Sequence, residues 1–143
     1  MAEVRKSVLV GHTAAQMFAL VDAVERYPEF LPWCSGTDLI HRDSRVLRAA
    51  IHINYRGVRQ RFSTENPKEE PHWMRIALLE GPFKSLEGEW RFTDLGGSGC
   101  RIDFNLRWEF ASRLLEKIAS PVFSHIADSL VDAFVLRARK VYG

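Results

Sequence analysis

The residue types that most often do chemistry are scattered along this chain of 143 residues. Its five histidines show none of the spacings that metal ligands adopt, and none of them lies beside either cysteine. The one dense run of glycines, residues 96–99, connects two predicted strands and does not lead into a helix as a phosphate-binding loop does. The sequence therefore predicts neither a metal site nor a nucleotide site.

Four titratable side chains share the phase of the apolar strand residues and are expected on the inner face of a sheet. These residues are Tyr55, Glu80, Lys84 and Cys100. An acid–base enzyme would place a histidine or a pair of carboxyl groups there. The four residues form no clear pair of that kind, so we expect a non-catalytic protein without a cofactor.

Lys84 is the sharpest candidate because its phase places it beside Leu86 and Trp90. Lys84 and Glu80 flank the turn of residues 81–83, and we expect them to meet across it. One interpretation puts the Lys84 ammonium at the mouth of an internal cavity, where it donates a hydrogen bond to a ligand. In the other, the lysine stem covers apolar surface while its ammonium stays in water beside Glu80. On the first interpretation, Lys84→Ala weakens ligand retention.

The element that must position these residues is a long helix predicted over residues 111–142. At about 1.5 Å per residue it is a rod of roughly 45 Å. Pro121 should kink or break it, since proline removes one helical hydrogen bond. Apolar residues recur at steps of three and four along one stripe. The stripe comprises Leu115, Ile118, Val122, Ile126, Leu130, Phe134, Ala138 and Val141.

Upstream, alternation of apolar and polar residues predicts strands with one apolar face each. The predicted strands are residues 3–10, 38–42, 45–55, 58–65, 72–80, 84–92 and 100–110. A helix capped by Thr13 and a shorter second helix follow the first strand, and residues 67–71 are predicted to be a loop. Strands of this kind form an antiparallel sheet with one side in water. If the sheet curls around the last helix, both apolar surfaces are buried, in a single α+β domain spanning residues 1–143.

Composition limits the classes of function. Apolar and charged contents of 46% and 27% are those of an ordinary globular protein. A formal net charge of +2 does not indicate a DNA-binding protein. Cys34 and Cys100 are isolated, so we expect reduced thiols in an intracellular protein. No apolar run approaches the ~20 residues of a membrane span, and the N-terminus lacks a signal sequence. A cytoplasmic protein is expected.

Three segments carry a resemblance to a known family: residues 27–34 (YPEFLPWC), 80–92 (EGPFKSLEGEWRF) and 134–138 (FVLRA). They resemble the coenzyme Q-binding proteins of the START-like (SRPBCC) superfamily, whose bacterial branch includes ribosome association toxins of the RatA type. The resemblance covers nearly the whole chain. It implies the helix-grip fold, START-like and Bet v-like, in which an antiparallel sheet wraps around a long C-terminal helix and encloses an apolar cavity.

The same resemblance implies a carrier or chaperone that supports cellular respiration and binds ubiquinone or a similar prenyl lipid as ligand. In the RatA branch it implies instead a toxin of the toxin-antitoxin type that binds the large ribosomal subunit, blocks subunit association and inhibits translation initiation; the sequence does not indicate whether an antitoxin partner exists. A third alternative is an enzyme of the polyketide cyclase/dehydrase type, which shares the fold. Contact with the inner face of the plasma membrane, as a peripheral protein, is also compatible with the lipid function.

Two groups of apolar residues are candidates for ligand binding. Phe30, Leu31 and Trp33 lie between two prolines and form either a flexible lip, through which a lipid passes or which touches a membrane, or ordinary packing against the sheet edge. The second group is expected in the cavity wall, with plain core as the alternative. It comprises Leu86, Trp90, Phe92, Phe104, Trp108, Val122, Ile126 and Leu130.

Six basic residues are candidates for a contact surface. Two interpretations are open: contact with ribosomal RNA phosphates or an anionic membrane, and a solvated face without a partner. The residues are Arg56, Arg59, Arg61, Arg137, Arg139 and Lys140.

Overall fold

The computed structural model describes residues 2–143. Its elements, in chain order, are one strand, two helices, six strands and one long helix. They are β1 (Ala2–Val10), α1 (Ala14–Asp22), a 3-10 helix (Val24–Glu29), β2 (Cys34–Arg42), β3 (Val46–Tyr55), β4 (Val58–Glu69), β5 (Trp73–Glu80), β6 (Phe83–Asp94), β7 (Cys100–Phe110) and α2 (Arg113–Tyr142).

The strands of the described chain form one antiparallel sheet of seven, in the order β1-β7-β6-β5-β4-β3-β2. Strands β2 to β7 follow one another as neighbours, while β1 joins the far edge by pairing Val4 with Leu106 of β7. Helix α2 contacts β1, β4 and β7 as well as α1, so the sheet curls around it. This arrangement confirms the predicted α+β fold and its helix-grip form.

The helices begin where the sequence predicts. The Thr13 hydroxyl accepts a hydrogen bond from the Gln16 backbone at 3.1 Å, and the Gln16 side chain accepts one from the Thr13 backbone at 2.9 Å. This capping box fixes the start of α1. Ser112 caps α2 in a similar way, accepting from the Leu115 backbone at 3.2 Å. Of the kink or break predicted at Pro121, the break is wrong, because α2 runs through the proline as one helix. Val122, directly after the proline, is buried and helps to hold the helix together.

The buried face of α2 is rotated relative to the predicted stripe. Ile118 and Val141, which we expected in the stripe, are 56% and 49% exposed. The side chains that α2 does bury still recur at steps of mostly three and four, as one helix face requires. They are Ala119, Val122, Phe123, Ile126, Ala127, Val131, Phe134 and Ala138.

By length and hydropathy, α2 also passes as a helix able to cross a membrane, contrary to the sequence expectation. An 18-residue window reaches a mean hydropathy of 1.2, and 39% of that window is buried inside the domain. A core helix has the same composition, and the buried face of α2 packs in the domain core. The hydropathy is therefore weak evidence for a membrane span.

Strand β4 is longer than expected. The predicted loop at residues 67–71 is too long, since β4 continues to Glu69 and pairs Pro67 with Val46 of β3, and the turn is confined to residues 70–72. Proline is tolerated near the end of a strand, where its missing donor costs little. The extension matters for function because it continues the inward-facing row of β4 to Asn66 and Lys68.

Candidate functional site

An internal cavity of about 100 Å³ lies between the sheet and α2. All the described residues that line it are uncharged, and most are aliphatic or aromatic. They are Val24, Tyr27, Trp33, Leu47, Ala49, Ile51, Phe62, Thr64, Asn66, Ile76, Leu86, Phe104, Leu106, Phe123, Ile126, Ala127, Leu130 and Phe134. The apolar space between the sheet and the helix that the fold implied is therefore present.

Two alanines lie in the wall of the cavity. Ala49 lies on β3 and Ala127 on α2, both are nearly fully buried, and both line the cavity. A side chain that ends at Cβ leaves empty the volume that a leucine would occupy there. Phe134, about two helical turns beyond Ala127, also lines the cavity and packs edge-on against Tyr27 and Trp90 at 5.4 Å between ring centroids.

One end of the cavity is polar. Thr64 and Asn66 are two residues apart on β4 and therefore face the same side of the sheet. The Tyr27 hydroxyl donates to the Val21 carbonyl oxygen at 2.5 Å, and burial raises the pKa of this phenol well above its ordinary value. Asn66 Nδ2 donates to Met74 Sδ at 3.5 Å. Phenol, hydroxyl and amide are groups that orient a ligand by hydrogen bonds without exchanging protons with it at neutral pH.

Ion pairs hold the end of α1 to β4, and the 3-10 helix to β2, next to this polar end. Lys68 Nζ lies 2.8 Å from Asp22 Oδ1, with the lysine side chain only 3% exposed. Arg42 of β2 bonds both Glu25 oxygens at 2.9 Å and the Asp22 carbonyl oxygen at 2.7 Å. Since Val24 and Tyr27 belong to the same 3-10 helix, these bonds hold part of the cavity wall in place.

A second, much smaller hollow of about 10 Å³ lies near the N-terminal part of α2. Val122 lines it together with Val58 and Pro82. The rings of Phe62 and Phe123 belong to the walls of both hollows and stand edge to face at 6.2 Å between centroids. This pair of rings therefore separates the two spaces.

The structure places the predicted wall residues in three positions. Leu86, Phe104, Ile126 and Leu130 line the cavity, as does Trp33 from the lip group. Val122 lines the second hollow. The remaining three, Trp90, Phe92 and Trp108, are buried in the core but are not among the cavity-lining residues.

The lip group is packed against the body of the domain, which agrees with its second interpretation. Leu31 is 1% exposed and Trp33 6%. Phe30 is half-buried, with its ring 5.2 Å from that of Phe134 and the Arg137 guanidinium 5.0 Å from its centroid.

The inward placement of Lys84 is wrong. A β-bulge between Phe83 and Ser85 shifts the register of β6 against β7, so that Phe83 and Leu86 both point inward. The Lys84 side chain is 74% exposed and pairs with Glu109 at 3.8 Å rather than with Glu80, which is also exposed.

Because Lys84 lies outside the cavity, we expect Lys84→Ala to change ligand retention less than twofold, on the order of the effect of removing one exposed ion pair. The change should also leave the thermal unfolding temperature nearly unaltered. Lipid extraction of the purified variant beside the wild type measures the first quantity, and scanning calorimetry the second. A loss of ligand retention greater than fivefold would show that Lys84 contributes to the ligand site.

The sequence did not identify Asn66, Tyr27 or Lys68 as site residues. Extending the alternation of β4 by two steps beyond Thr64 would have put Asn66 and Lys68 on the inner face, but the prolines at 67 and 71 suggested a loop. Tyr27 is held in place by its bond to Val21, six residues earlier, and no periodicity predicts that contact.

Other candidates for chemistry occupy ordinary positions. Both cysteines are buried free thiols, and burial raises the pKa of Cys100 to about 11 and that of Cys34 above its usual value. Among residues 2–143, no group of three or more histidine, cysteine, aspartate or glutamate side chains is placed to hold a metal ion. Arg59 and Arg61 are exposed on the outer face of β4, where Arg61 lies 3.5 Å from Asp38.

Comparison of the sequence with known families and proteins gives a consistent match. The family described as "Polyketide cyclase / dehydrase and lipid transport" matches residues 10–135. The chain is 37% identical to the ribosome association toxin RatA of Vibrio cholerae, over 100% of this chain and 99% of that protein. It is 32% identical to the mitochondrial coenzyme Q-binding protein COQ10 homolog B of Xenopus laevis, over 99% of this chain and 59% of that protein.

Solved structures share the fold. A START superfamily protein from Mycobacterium smegmatis superposes with a TM-score of 0.75 at 21% identity, over 97% of this chain and 98% of that one. The Zhui aromatase/cyclase from a Streptomyces species superposes with a TM-score of 0.81 at 14% identity, over 99% and 96%. At these identities the likeness concerns the fold alone.

Proposed function

The chain belongs to the polyketide cyclase, dehydrase and lipid transport family. Within that family, we propose that it binds a prenyl lipid such as ubiquinone in the cavity between the sheet and α2, and that it acts as a non-catalytic carrier or chaperone in respiration. The observation that carries this proposal is the cavity itself, which is apolar along most of its wall and polar at one end. An amphiphile with a small polar head and an apolar tail matches that distribution.

The energetics favour the tail over the head. Burial of one five-carbon prenyl unit contributes at most about 4 kcal/mol, at about 0.8 kcal/mol per carbon. A single head-group hydrogen bond contributes about 1 kcal/mol. Affinity should therefore depend mainly on the tail, and selectivity for tail length should be loose.

The cavity must widen when such a ligand binds. About 100 Å³ is smaller than the roughly 300–1,000 Å³ of most ligand pockets. Rotation of the Phe62 and Phe123 rings would join the cavity to the second hollow beyond them, because both rings line both spaces. The second hollow adds only about 10 Å³, so most of the additional room must come from displacement of other wall residues.

A binding role fits the wall better than catalysis of the cyclase type. Its polar groups are Tyr27, Thr64 and Asn66, and the raised pKa of Tyr27 keeps that phenol protonated. General acid–base catalysis needs a group whose pKa lies near the working pH. These three side chains are suited to holding a ligand.

The direct test is the identity of what the protein carries. We expect native mass spectrometry of protein purified from its host to show a fraction bound to a prenyl quinone, because the apolar cavity would retain it through purification. Extraction into organic solvent, followed by chromatography, identifies the ligand. If repeated preparations contain no prenyl quinone or other lipid, and added ubiquinone does not bind, the proposal is wrong.

A second candidate function rests on the full-length similarity to the ribosome association toxin. On this proposal the protein binds the large ribosomal subunit through basic residues such as Arg59 and Arg61, and so blocks subunit joining. Exposed arginines can pair with RNA phosphates, and binding of that kind weakens as salt rises. Overproduction followed by sucrose-gradient sedimentation distinguishes the two functions, since only the second predicts loss of whole ribosomes, with the protein on the large subunit.

A further inference from the structure

Asn66 is a cavity-wall residue whose hydrogen bonding the protein leaves incomplete. Its Nδ2 donates to Met74 Sδ at 3.5 Å, while its Oδ1 is buried and has no partner within residues 2–143. The sulfur fixes which way the amide points, because a thioether accepts a hydrogen from nitrogen and has none to give to oxygen. A buried acceptor without a donor is unusual in folded proteins and requires an explanation.

The polar groups near Asn66 are mostly acceptors. Tyr27 directs its proton to the Val21 carbonyl oxygen, so its phenol oxygen can only accept from a ligand. Thr64 adds one hydroxyl, which can donate or accept. Asn66 Nδ2 has a second hydrogen besides the one it donates to Met74, so the polar end offers three acceptor oxygens and two donor hydrogens.

We propose that the cavity selects an uncharged ligand that carries a hydroxyl group, and that this hydroxyl donates its hydrogen to Asn66 Oδ1. The inference rests on the proposed lipid-binding function and names the form of the lipid. The ligand is uncharged because every described residue of the wall is uncharged, and a charge buried there would lack a partner. For a prenyl quinone this means the reduced quinol, since the oxygens of the oxidised quinone can only accept.

The arrangement also orients the ligand. Lys68, the next inward residue of β4 after Asn66, does not line the cavity, and its ammonium is already paired with Asp22 at 2.8 Å. On this proposal the head group lies beside Asn66, at the end of the cavity nearest to Lys68. Its tail extends toward Phe62 and Phe123, along the apolar part of the wall.

Calorimetric titration of lipid-free protein under anaerobic conditions tests the inference. The probes are a ubiquinone with a ten-carbon tail and the corresponding ubiquinol. We expect the quinol to bind about tenfold more tightly, which is what one additional buried hydrogen bond of ordinary strength gives. Asn66→Leu keeps a similar side-chain volume and removes the acceptor. In this variant the affinity for the quinol should fall about tenfold, and the preference for the quinol over the quinone should vanish.

Ser85→Ala is the matched control. Ser85 Oγ is also buried without a partner in the described chain, but Ser85 is not among the residues lining the cavity, so its loss should leave the preference unchanged. Equal affinity of the wild type for the two forms overturns this inference and leaves the proposed function standing, as does an unchanged preference in Asn66→Leu. Binding of neither form overturns both. The wild-type comparison needs no variant and so does not depend on how Asn66→Leu folds.

Discussion

Replacing Asp22 by alanine should lower the free energy of unfolding by about 3–5 kcal/mol, the usual cost of leaving one partner of a buried ion pair uncompensated. The Lys68 ammonium lies 2.8 Å from Asp22 Oδ1, and its side chain is 3% exposed. Asp22 Oδ2 also lies 3.5 Å from Arg42 Nε, so the change removes that ion pair as well, but Arg42 retains Glu25 as a partner. Arg42 offers Lys68 no substitute, since it is also a cation. Denaturation with urea measures the change.

Two comparisons make this expectation specific. Asp103→Ala breaks the exposed pair with Arg101, whose side chain is 49% exposed, and should cost less than about 1 kcal/mol. The double variant Asp22→Ala, Lys68→Met removes both charges and should recover most of the stability, because the methionine stem can still pack. A cost for Asp22→Ala no greater than that for Asp103→Ala would show that the Lys68–Asp22 pair does not hold α1 to β4.

Local periodicity was enough to predict the architecture. The capping box at Thr13, the alternation in β3 and β7 and the apolar periodicity of α2 are patterns within one continuous segment each. Each could therefore be recognised in the sequence. Burial of both apolar surfaces predicted that the sheet closes around α2, and the resemblance to coenzyme Q-binding proteins implied the same arrangement. The chain's match to the family and the structural likeness to a START protein confirm that part.

The details of the site depend on contacts between distant segments, and here prediction was less successful. Lys84 was placed inward by extending the phase of Leu86 one step too far, across a bulge that becomes visible only in the pairing of β6 with β7. On α2, apolar residues occur almost all round the helix, so the sequence allowed a stripe containing Ile118 although the face containing Ala119 is buried. Pairing with β3 extends β4, and this pairing carries Asn66 and Lys68 to the inner face.

The volume of the cavity likewise follows from where small residues meet across the fold. Ala49 and Ala127 are 78 residues apart in the sequence, and they line one space only because α2 lies against the sheet. Their types alone do not distinguish a hollow from close packing. A substitution that fills the hollow therefore tests directly whether the space serves a ligand.

We expect Ala127→Leu to reduce the amount of bound prenyl quinone about tenfold while leaving the domain folded. The added side chain occupies space next to Ala127, and displacing as few as two methylene groups of the ligand costs about 1.6 kcal/mol, at about 0.8 kcal/mol each. A loss of that size is roughly a tenfold change in affinity. Quinone extracted per mole of purified protein measures binding, and thermal unfolding measures stability.

Ala138→Leu is the matched control, because Ala138 is on the same helix and equally buried but does not line the cavity. There the larger side chain has no hollow to enter, so overpacking should cost about 1–3 kcal/mol of stability. The two variants should thus differ in opposite directions: Ala127→Leu loses the ligand and keeps most of its stability, whereas Ala138→Leu loses stability and keeps the ligand. If both variants retain the quinone equally, the ligand lies elsewhere, and the space between the sheet and α2 is only a packing defect.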